Sequence, residues 1–200
     1  MELYCLGDSL TFGYGVNRTQ RWIHLAAQES GWQLINLGIC GDTTGGMLAR
    51  LQTQLMPQLT EQRGGYVLLM GGGNDIFYGG SAVPARVNMG AMAHQLLSIG
   101  AVPIIGSPIP LCVDDVPQAW SSVVNFPQAA RLTEEYRVWC AEFCRAFGIP
   151  FIDFYDDFLR SGNPDSTLYL DGLHPTPAGH QLMAQRVAQT LKTLEASTWR

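Results

Sequence analysis

The sequence predicts an α/β protein with a three-layer, doubly wound architecture: a five-stranded parallel sheet in the flavodoxin-like order 2-1-3-4-5, with helices on both faces. Two observations predict this class. Short runs that are apolar throughout alternate with segments in which apolar residues recur at helical spacing. Strands that are apolar on both faces are typical of parallel sheets buried between two helical layers. The strand candidates are Leu3–Leu6, Leu34–Leu37, Tyr66–Met70, Ala101–Ile105 and Ile149–Ile152.

The helical segments carry their own start and stop signals. Gly31 and Gly148 are expected to end two of them, while Thr176 and Pro177 are expected to begin the C-terminal helix. Pro57 is expected to bend or interrupt the helix in which it lies, because proline has no N–H group to donate. The helix candidates are Trp22–Gln28, Met47–Leu59, Val87–Leu97, Leu132–Phe147 and Leu182–Leu194.

The length predicts one domain over residues 1–200, since a chain of this size buries enough surface for a full core. Residues 107–127 are the exception to the alternating pattern. Four prolines interrupt this segment, and Trp120 and Phe126 lie in it without any period. A connection of this length inside a compact domain is more often a lid or a binding loop than a plain linker. We therefore expect an irregular, lid-like loop at about 107–127.

Composition excludes several classes of partner. Twelve basic and 17 acidic residues give a formal net charge of −5, so the chain has no cationic field for nucleic acid or anionic lipid. No apolar run approaches the ~20 residues that a membrane span needs, and the N-terminus lacks signal-peptide features, so no stable membrane anchor is expected. The five cysteines lack a disulfide framework, which favours free thiols and a cytoplasmic location.

Residues that could carry chemistry follow the first three predicted strands. Ligands of doubly wound sheets lie beyond the carboxyl ends of the strands, so residues at these positions should converge on one crevice. Ser9 supplies a hydroxyl, Gly41 an uncrowded peptide N–H and Asn74 a carboxamide donor. Acyl transfer through serine needs such a nucleophile, with hydrogen-bond donors aimed at the oxyanion of a tetrahedral intermediate.

A base for this serine is found near the C-terminus. In Asp171-Gly172-Leu173-His174, the spacing lets the carboxylate reach its own histidine within a single turn. A carboxylate in that position fixes the imidazole tautomer and stabilises the imidazolium that forms when the ring accepts a proton.

Four blocks of the sequence together resemble the GDSL or SGNH hydrolase family, in the right order and over most of the chain. They are Gly7-Asp8-Ser9-Leu10, Gly41, Gly72-Gly73-Asn74-Asp75 and Asp171-Gly172-Leu173-His174. The first and last blocks, with the residues that follow them, are most similar to the branch of bacterial esterases, lysophospholipases and thioesterases. The resemblance implies Ser9 as nucleophile, His174 as base and Asp171 as its orienter. It also implies an oxyanion hole formed by the Ser9 and Gly41 N–H groups with Asn74, and no cofactor or catalytic metal.

Each of these residues also has a structural interpretation. Ser9 could merely cap the first helix, and Asn74 could be a turn residue. Asp171, His174 and His180 could in principle form a metal site, although further ligands are not evident.

Cys140 and Cys144, four residues apart, are expected to be buried thiols. Asp8 and Asp75 are expected to support neighbouring loops.

The sequence therefore predicts a serine esterase that hydrolyses carboxylic or thio-esters through an acyl-enzyme, with a small acyl ester or a lysophospholipid-type molecule as substrate. Two alternatives remain open: a carbohydrate acetylesterase of the same fold, and a non-catalytic module that binds a nucleotide or phosphate.

Overall fold

The predicted parallel sheet is present. The structure, a computed structural model, describes residues 1–62, 64–162 and 166–198. The sheet is five-stranded with the order β2-β1-β3-β4-β5, and every pairing is parallel. Both the fold class and the strand order are confirmed. The strands are β1 (Glu2–Gly7), β2 (Gln33–Gly38), β3 (Tyr66–Met70), β4 (Val102–Gly106) and β5 (Phe151–Ile152).

Helices cover both faces of the sheet, as predicted. Some lie where periodicity predicts them, and three short helices, the first, fifth and eighth in chain order, lie where it does not. The helices are α1 (Ser9–Phe12), α2 (Trp22–Ser30), α3 (Thr44–Arg50), α4 (Met56–Glu61), α5 (Gly73–Gly79), α6 (Val83–Ser98), α7 (Phe126–Phe147), α8 (Phe154–Arg160) and α9 (Pro177–Thr198).

Two hydrophobic cores lie on opposite sides of the sheet, because successive side chains of each strand point to opposite faces. Val67 and Leu69 of β3 pack with residues of α3, α4, α6 and α7, whereas Leu68 and Met70 pack with residues of α2, α8 and α9. All four of these side chains are fully buried. A central strand that is apolar on both faces therefore serves both layers.

Several predicted boundaries differ from the structure. The fifth strand begins at Phe151 rather than Ile149, because the Ile149 N–H donates to the Cys144 carbonyl in the turn that ends α7. The irregular segment after β4 ends at Asn125, since Phe126 and Pro127 form the first turn of α7. The predicted helix over Met47–Leu59 is interrupted by a π-helical turn, Leu51–Leu55, and Pro57 lies in the first turn of α4 just after it. The interruption follows from the missing N–H of proline and the steric bulk of its ring.

Other local predictions are confirmed. Gly31 and Gly148 end α2 and α7 in the left-handed conformation. Cys140 and Cys144 are buried in α7. Thr176 precedes α9, and its hydroxyl accepts a hydrogen bond from the Gly179 N–H at 3.4 Å.

Among the described residues, none of the helices combines the length and apolar content needed to cross a bilayer.

Candidate active site

The candidate site lies where three strand ends meet. β1, β2 and β3 are neighbours in the sheet, and the loops or helices that follow them carry Ser9, Gly41 and Asn74. These three residues and His174 line one cavity of about 360 Å³. The four residues that the sequence predicts at a common crevice are therefore brought together, and Asp171 stands behind His174.

Ser9 is held at the beginning of α1. The residue that caps this short helix is Asp8, whose carboxylate accepts a hydrogen bond from the Leu10 N–H at 3.0 Å. The interpretation of Ser9 as the helix cap is therefore wrong, and its hydroxyl is available for another contact. That contact is with the imidazole of His174, whose Nε2 lies 3.0 Å from Ser9 Oγ.

Asp171 and His174 form a self-contained turn. Asp171 Oδ2 lies 2.8 Å from His174 Nδ1. Asp171 Oδ1 accepts hydrogen bonds from the Leu173 N–H at 3.0 Å and the His174 N–H at 2.9 Å. Each carboxylate oxygen therefore has a separate task, one folding the turn and the other orienting the ring.

The turn depends on Gly172. Its φ is +77°, and a Cβ atom there would lie 2.4 Å from the Cys112 carbonyl oxygen. The Gly172 carbonyl in turn accepts a hydrogen bond from the Cys112 N–H at 2.9 Å. The irregular segment after β4 thus packs directly against the turn that carries Asp171 and His174.

The electrostatics of the site distinguish its two carboxylates. Burial by itself raises the pKa of Asp171, but hydrogen bonds from the His174 side chain and main chain outweigh it and hold the pKa below its ordinary value. Asp171 is therefore a carboxylate at neutral pH. Asp8 differs, because almost complete burial raises its pKa to about 6 despite the hydrogen bond from the Leu10 N–H.

The Asn74 amide is fixed from one side. Asn74 lies in the first turn of α5, and its Nδ2 donates to the main-chain carbonyl of Asp42 at 2.8 Å. A carboxamide has two N–H donors, so the second is left to serve the cavity. Gly41, which precedes Asp42, has φ +78°, and no atom lies within 4 Å of the place that a Cβ would take.

Asp75 and Asp8 support loops, as the sequence predicts. Asp75 accepts hydrogen bonds from the Thr44 N–H at 2.9 Å and the Thr44 hydroxyl at 2.6 Å. These bonds tie the N-terminus of α3 to α5, and Asn88 extends them with a 3.1 Å hydrogen bond to the same hydroxyl.

Aromatic side chains line part of the cavity. Phe77, Tyr78, Trp120 and Phe126 all line it, with Phe77 and Tyr78 on α5 and Phe126 at the start of α7. Tyr14, which was not predicted as a site residue, also lines the cavity, and its ring centre lies 4.5 Å from that of His174. The signal that could have found it is its position five residues after Ser9 and four after the end of the first block.

A further histidine, His180, is not among the described residues that line the cavity. His180 is fully buried, and its Nδ1 accepts a hydrogen bond from the Trp22 N–H at 3.3 Å. Burial, with Arg21 and His174 nearby, lowers the pKa of His180 to about 4. His180 thus has a structural contact between α9 and α2. Within the described ranges, no group of three His, Cys, Asp or Glu side chains is arranged to hold a metal ion.

A hydroxyl, an imidazole and a carboxylate in hydrogen-bonded series, at the carboxyl edge of a doubly wound sheet, define the class of serine hydrolases. The comparisons with known proteins identify the family. The profile of the GDSL-like lipase/acylhydrolase family matches residues 5–182, so this chain belongs to that family of ester-hydrolysing enzymes.

Individual relatives agree with this assignment. The chain is 28% identical over 200 residues to esterase TesA of Pseudomonas aeruginosa, covering 96% of this chain and 88% of the relative. The aryl esterase of M. smegmatis has a similar structure, with a TM-score of 0.79, 20% identity, and 96% and 99% of the two chains covered. A carbohydrate acetylesterase from Sinorhizobium meliloti has a TM-score of 0.77 at 19% identity, with the same coverage of 96% and 99%. The two solved structures show that the fold is shared.

Proposed function

We propose that this protein is a serine esterase that hydrolyses carboxylic or thio-esters of the small acyl or lysophospholipid type through an acyl-enzyme. The observation that carries the proposal is the 3.0 Å contact between Ser9 Oγ and His174 Nε2 in the wall of a cavity of about 360 Å³. A nucleophile within hydrogen-bonding reach of an oriented base is the geometry that acyl transfer requires.

The proposed reaction begins when His174 Nε2 accepts the Ser9 proton and Ser9 Oγ attacks the ester carbonyl carbon. The negative charge that gathers on the carbonyl oxygen receives hydrogen bonds from the Ser9 N–H, the Gly41 N–H and Asn74 Nδ2. When the tetrahedral intermediate collapses, the imidazolium returns its proton to the leaving alcohol or thiol. Water then attacks the acyl-enzyme with the same base and releases the acid.

The lining of the cavity favours an apolar acyl group. Away from Ser9, Asn74 and His174, most of the side chains around the cavity are aliphatic or aromatic. Burying the hydrocarbon of an acyl group against such a wall favours binding, whereas the hydroxyls of a sugar would find few hydrogen-bond partners there. The apolar members include Phe77, Ile109, Leu111, Trp120, Val124 and Phe126.

The test is a series of p-nitrophenyl esters of increasing acyl length, assayed on the wild type and on Ser9→Ala. We expect hydrolysis by the wild type, its loss in Ser9→Ala, and a chain-length optimum beyond acetate. A fluorophosphonate should label the wild type and leave Ser9→Ala unlabelled. Equal hydrolysis by the two proteins would exclude Ser9 as nucleophile.

A second candidate, carbohydrate acetylesterase activity, is favoured by the fold shared with the Sinorhizobium meliloti enzyme. It needs the same Ser9 chemistry but only a small acyl group. Acetylated xylan or peracetylated sugars, compared with long-chain esters, separate the two activities. A non-catalytic module for nucleotide or phosphate would make no use of the contact between Ser9 and His174, and the largely apolar lining does not suit a phosphate.

A further inference from the structure

Arg50 connects three segments beneath the proposed oxyanion hole. It is the last residue of α3, and its side chain is 15% exposed. Its Nη1 donates to the Leu37 carbonyl at 2.7 Å, and its Nη2 donates to the Gly7 carbonyl at 3.1 Å. Leu37 and Gly7 lie at the carboxyl ends of β2 and β1, so one guanidinium joins the two strand ends that lead into the site.

The same guanidinium holds Asp42. Arg50 Nε and Nη2 both donate to Asp42 Oδ2, at 3.0 and 2.6 Å, and the Asp42 side chain is only 13% exposed. Asp42 thereby fixes the loop after β2 to the strand ends. Because the charges of Arg50 and Asp42 offset each other at short range, the pair acts on the site through geometry more than through a long-range field.

Asp42 links Arg50 to both remote donors of the oxyanion hole. Its main-chain carbonyl accepts the hydrogen bond from Asn74 Nδ2 at 2.8 Å, and its neighbour in the chain is Gly41. A shift of Asp42 would therefore turn the Asn74 amide and displace the Gly41 N–H together. Oxyanion stabilisation depends on donors that are already in place when charge develops, so such a shift reduces the rate.

We propose that Arg50 is a positioning residue for the oxyanion hole, acting through Asp42 on Gly41 and Asn74. The inference rests on the proposed function, which assigns those donors their role. It accounts for the use of arginine at this position. The planar fork of a guanidinium reaches Gly7, Leu37 and Asp42 in fixed directions, which the single ammonium of lysine does not reproduce.

The test measures kcat and KM of Arg50→Lys in the wild type and in an Asn74→Ala background. In the wild type we expect kcat to fall about 10- to 100-fold with KM little changed, because the lost interaction is made to the transition state. In the Asn74→Ala background the further fall in kcat should be much smaller, because one of the donors that Arg50 positions has already been removed. The pH profile of kcat should keep its shape, since Ser9, His174 and Asp171 remain in place.

A matched control is available in Arg186. This arginine on α9 pairs with Asp157 of α8, its Nε donating to Asp157 Oδ2 at 2.7 Å. Neither residue is among the described residues that line the cavity. We expect Arg186→Lys to leave kcat unchanged, with a shift in Tm comparable to that of Arg50→Lys. If Arg50→Lys does not fold, Asp42→Asn, which keeps the main-chain carbonyl, should show the same selective loss of kcat.

Two results would overturn the proposal. One is an Arg50→Lys variant that keeps wild-type kcat, and the other is a loss of the same factor in both backgrounds, which a general structural defect would give. The failure of the proposed function has a different signature, since Ser9→Ala would then hydrolyse esters as fast as the wild type. If the wild type is active, Ser9→Ala is inactive and Arg50→Lys lowers kcat by the same factor in both backgrounds, only the positioning role of Arg50 is rejected.

Discussion

At the scale of single residues, the site is organised around the two nitrogens of one ring. Asp171 faces His174 Nδ1 and fixes the proton there, so the lone pair of Nε2 points at Ser9 Oγ. Because hydrogen bonds hold the pKa of Asp171 low, its carboxylate persists as the pH falls toward the acid range.

The contribution of Asn74 can be measured directly. We expect Asn74→Ala to lower kcat about 10²- to 10³-fold, or roughly 3–4 kcal/mol of transition-state stabilisation, because one prepared donor is lost. KM should change little, since the donor acts on charge that develops after binding. Steady-state kinetics with a p-nitrophenyl ester provide the test. Ser9→Ala, which should lose more activity, gives the lower limit of kcat against which Asn74→Ala is compared. A rise in KM at constant kcat would instead indicate a role in substrate binding.

Asp8 should make stability depend on pH. Its pKa is raised from 3.8 to about 6, so the folded chain binds this proton more tightly than the unfolded chain does. The protonated Asp8 therefore contributes its full stabilisation of the folded state below about pH 4. As the pH rises through about 6 this contribution is lost, and the free energy of unfolding falls by up to roughly 3 kcal/mol.

Asp8→Asn should remove this loss, because asparagine stays neutral and can still accept the Leu10 N–H. Urea unfolding of both proteins at about pH 4 and about pH 8 provides the measurement. The gain of the variant over the wild type should be larger at the higher pH. The exposed Asp114→Asn controls for the change in net charge, and a gain independent of pH would contradict the prediction.

At the scale of elements, short turns rather than long helices hold the reactive groups. Ser9 begins a helix of four residues, and Asp171 and His174 lie in one turn. Such turns are stable because main-chain groups pack closely, as where Gly172 meets the segment at Cys112. The rigidity of the site therefore depends on contacts between loops.

Gly172→Ala tests this dependence. The added methyl group would require an unfavourable φ and would press on the Cys112 carbonyl, so we expect a loss of stability of about 1–3 kcal/mol together with a fall in kcat. Gly31→Ala is the matched control, since Gly31 has φ +74° but no atom within 4 Å of the added Cβ. It should lower Tm by backbone strain alone and leave kcat unchanged. Thermal unfolding and ester hydrolysis measure both effects, and equal kcat in the two variants would contradict the prediction.

At the scale of the whole molecule, the sheet separates two cores that share the central strand β3. Leu69 belongs to one core and Leu68 to the other, with 0% and 1% of their surfaces exposed. The stability of the scaffold thus depends on both helical layers. The assignment of residues 1–200 to a single domain and the cytoplasmic location stay predictions from the sequence.

Leu68→Ala and Leu69→Ala should each lower the free energy of unfolding by about 2–5 kcal/mol, because each leaves a cavity in a packed core. Their effects should nearly add in the double variant, since the backbone of the sheet lies between the two cavities. Leu97→Ala, at a side chain that is 43% exposed, should change the free energy by less than about 0.5 kcal/mol. Urea denaturation provides the values, and a strongly non-additive double variant would show that the two cores are coupled.

The fold class, the strand order and the candidate site residues could all be predicted from the sequence. Buried strands and helical periodicity are local signals, and three of the four blocks follow strand ends, so these predictions needed no knowledge of distant contacts. The contact between Asp171 and His174 could be predicted for the same reason, because both residues lie in one turn. The short helices that begin at Ser9, Gly73 and Phe154 were missed, because segments this short carry no clear period.

The hydrogen bonds that hold these residues in place are seen only in the folded protein. The contact between Ser9 and His174 spans 165 residues, and the path from Arg50 through Asp42 to Asn74 joins three separate segments. Neither the reach of a guanidinium to two strand ends nor the seating of Gly172 against Cys112 leaves a pattern in the sequence. Spacing along a chain specifies local conformation, whereas the directions of hydrogen bonds between remote segments are fixed only when both cores have packed.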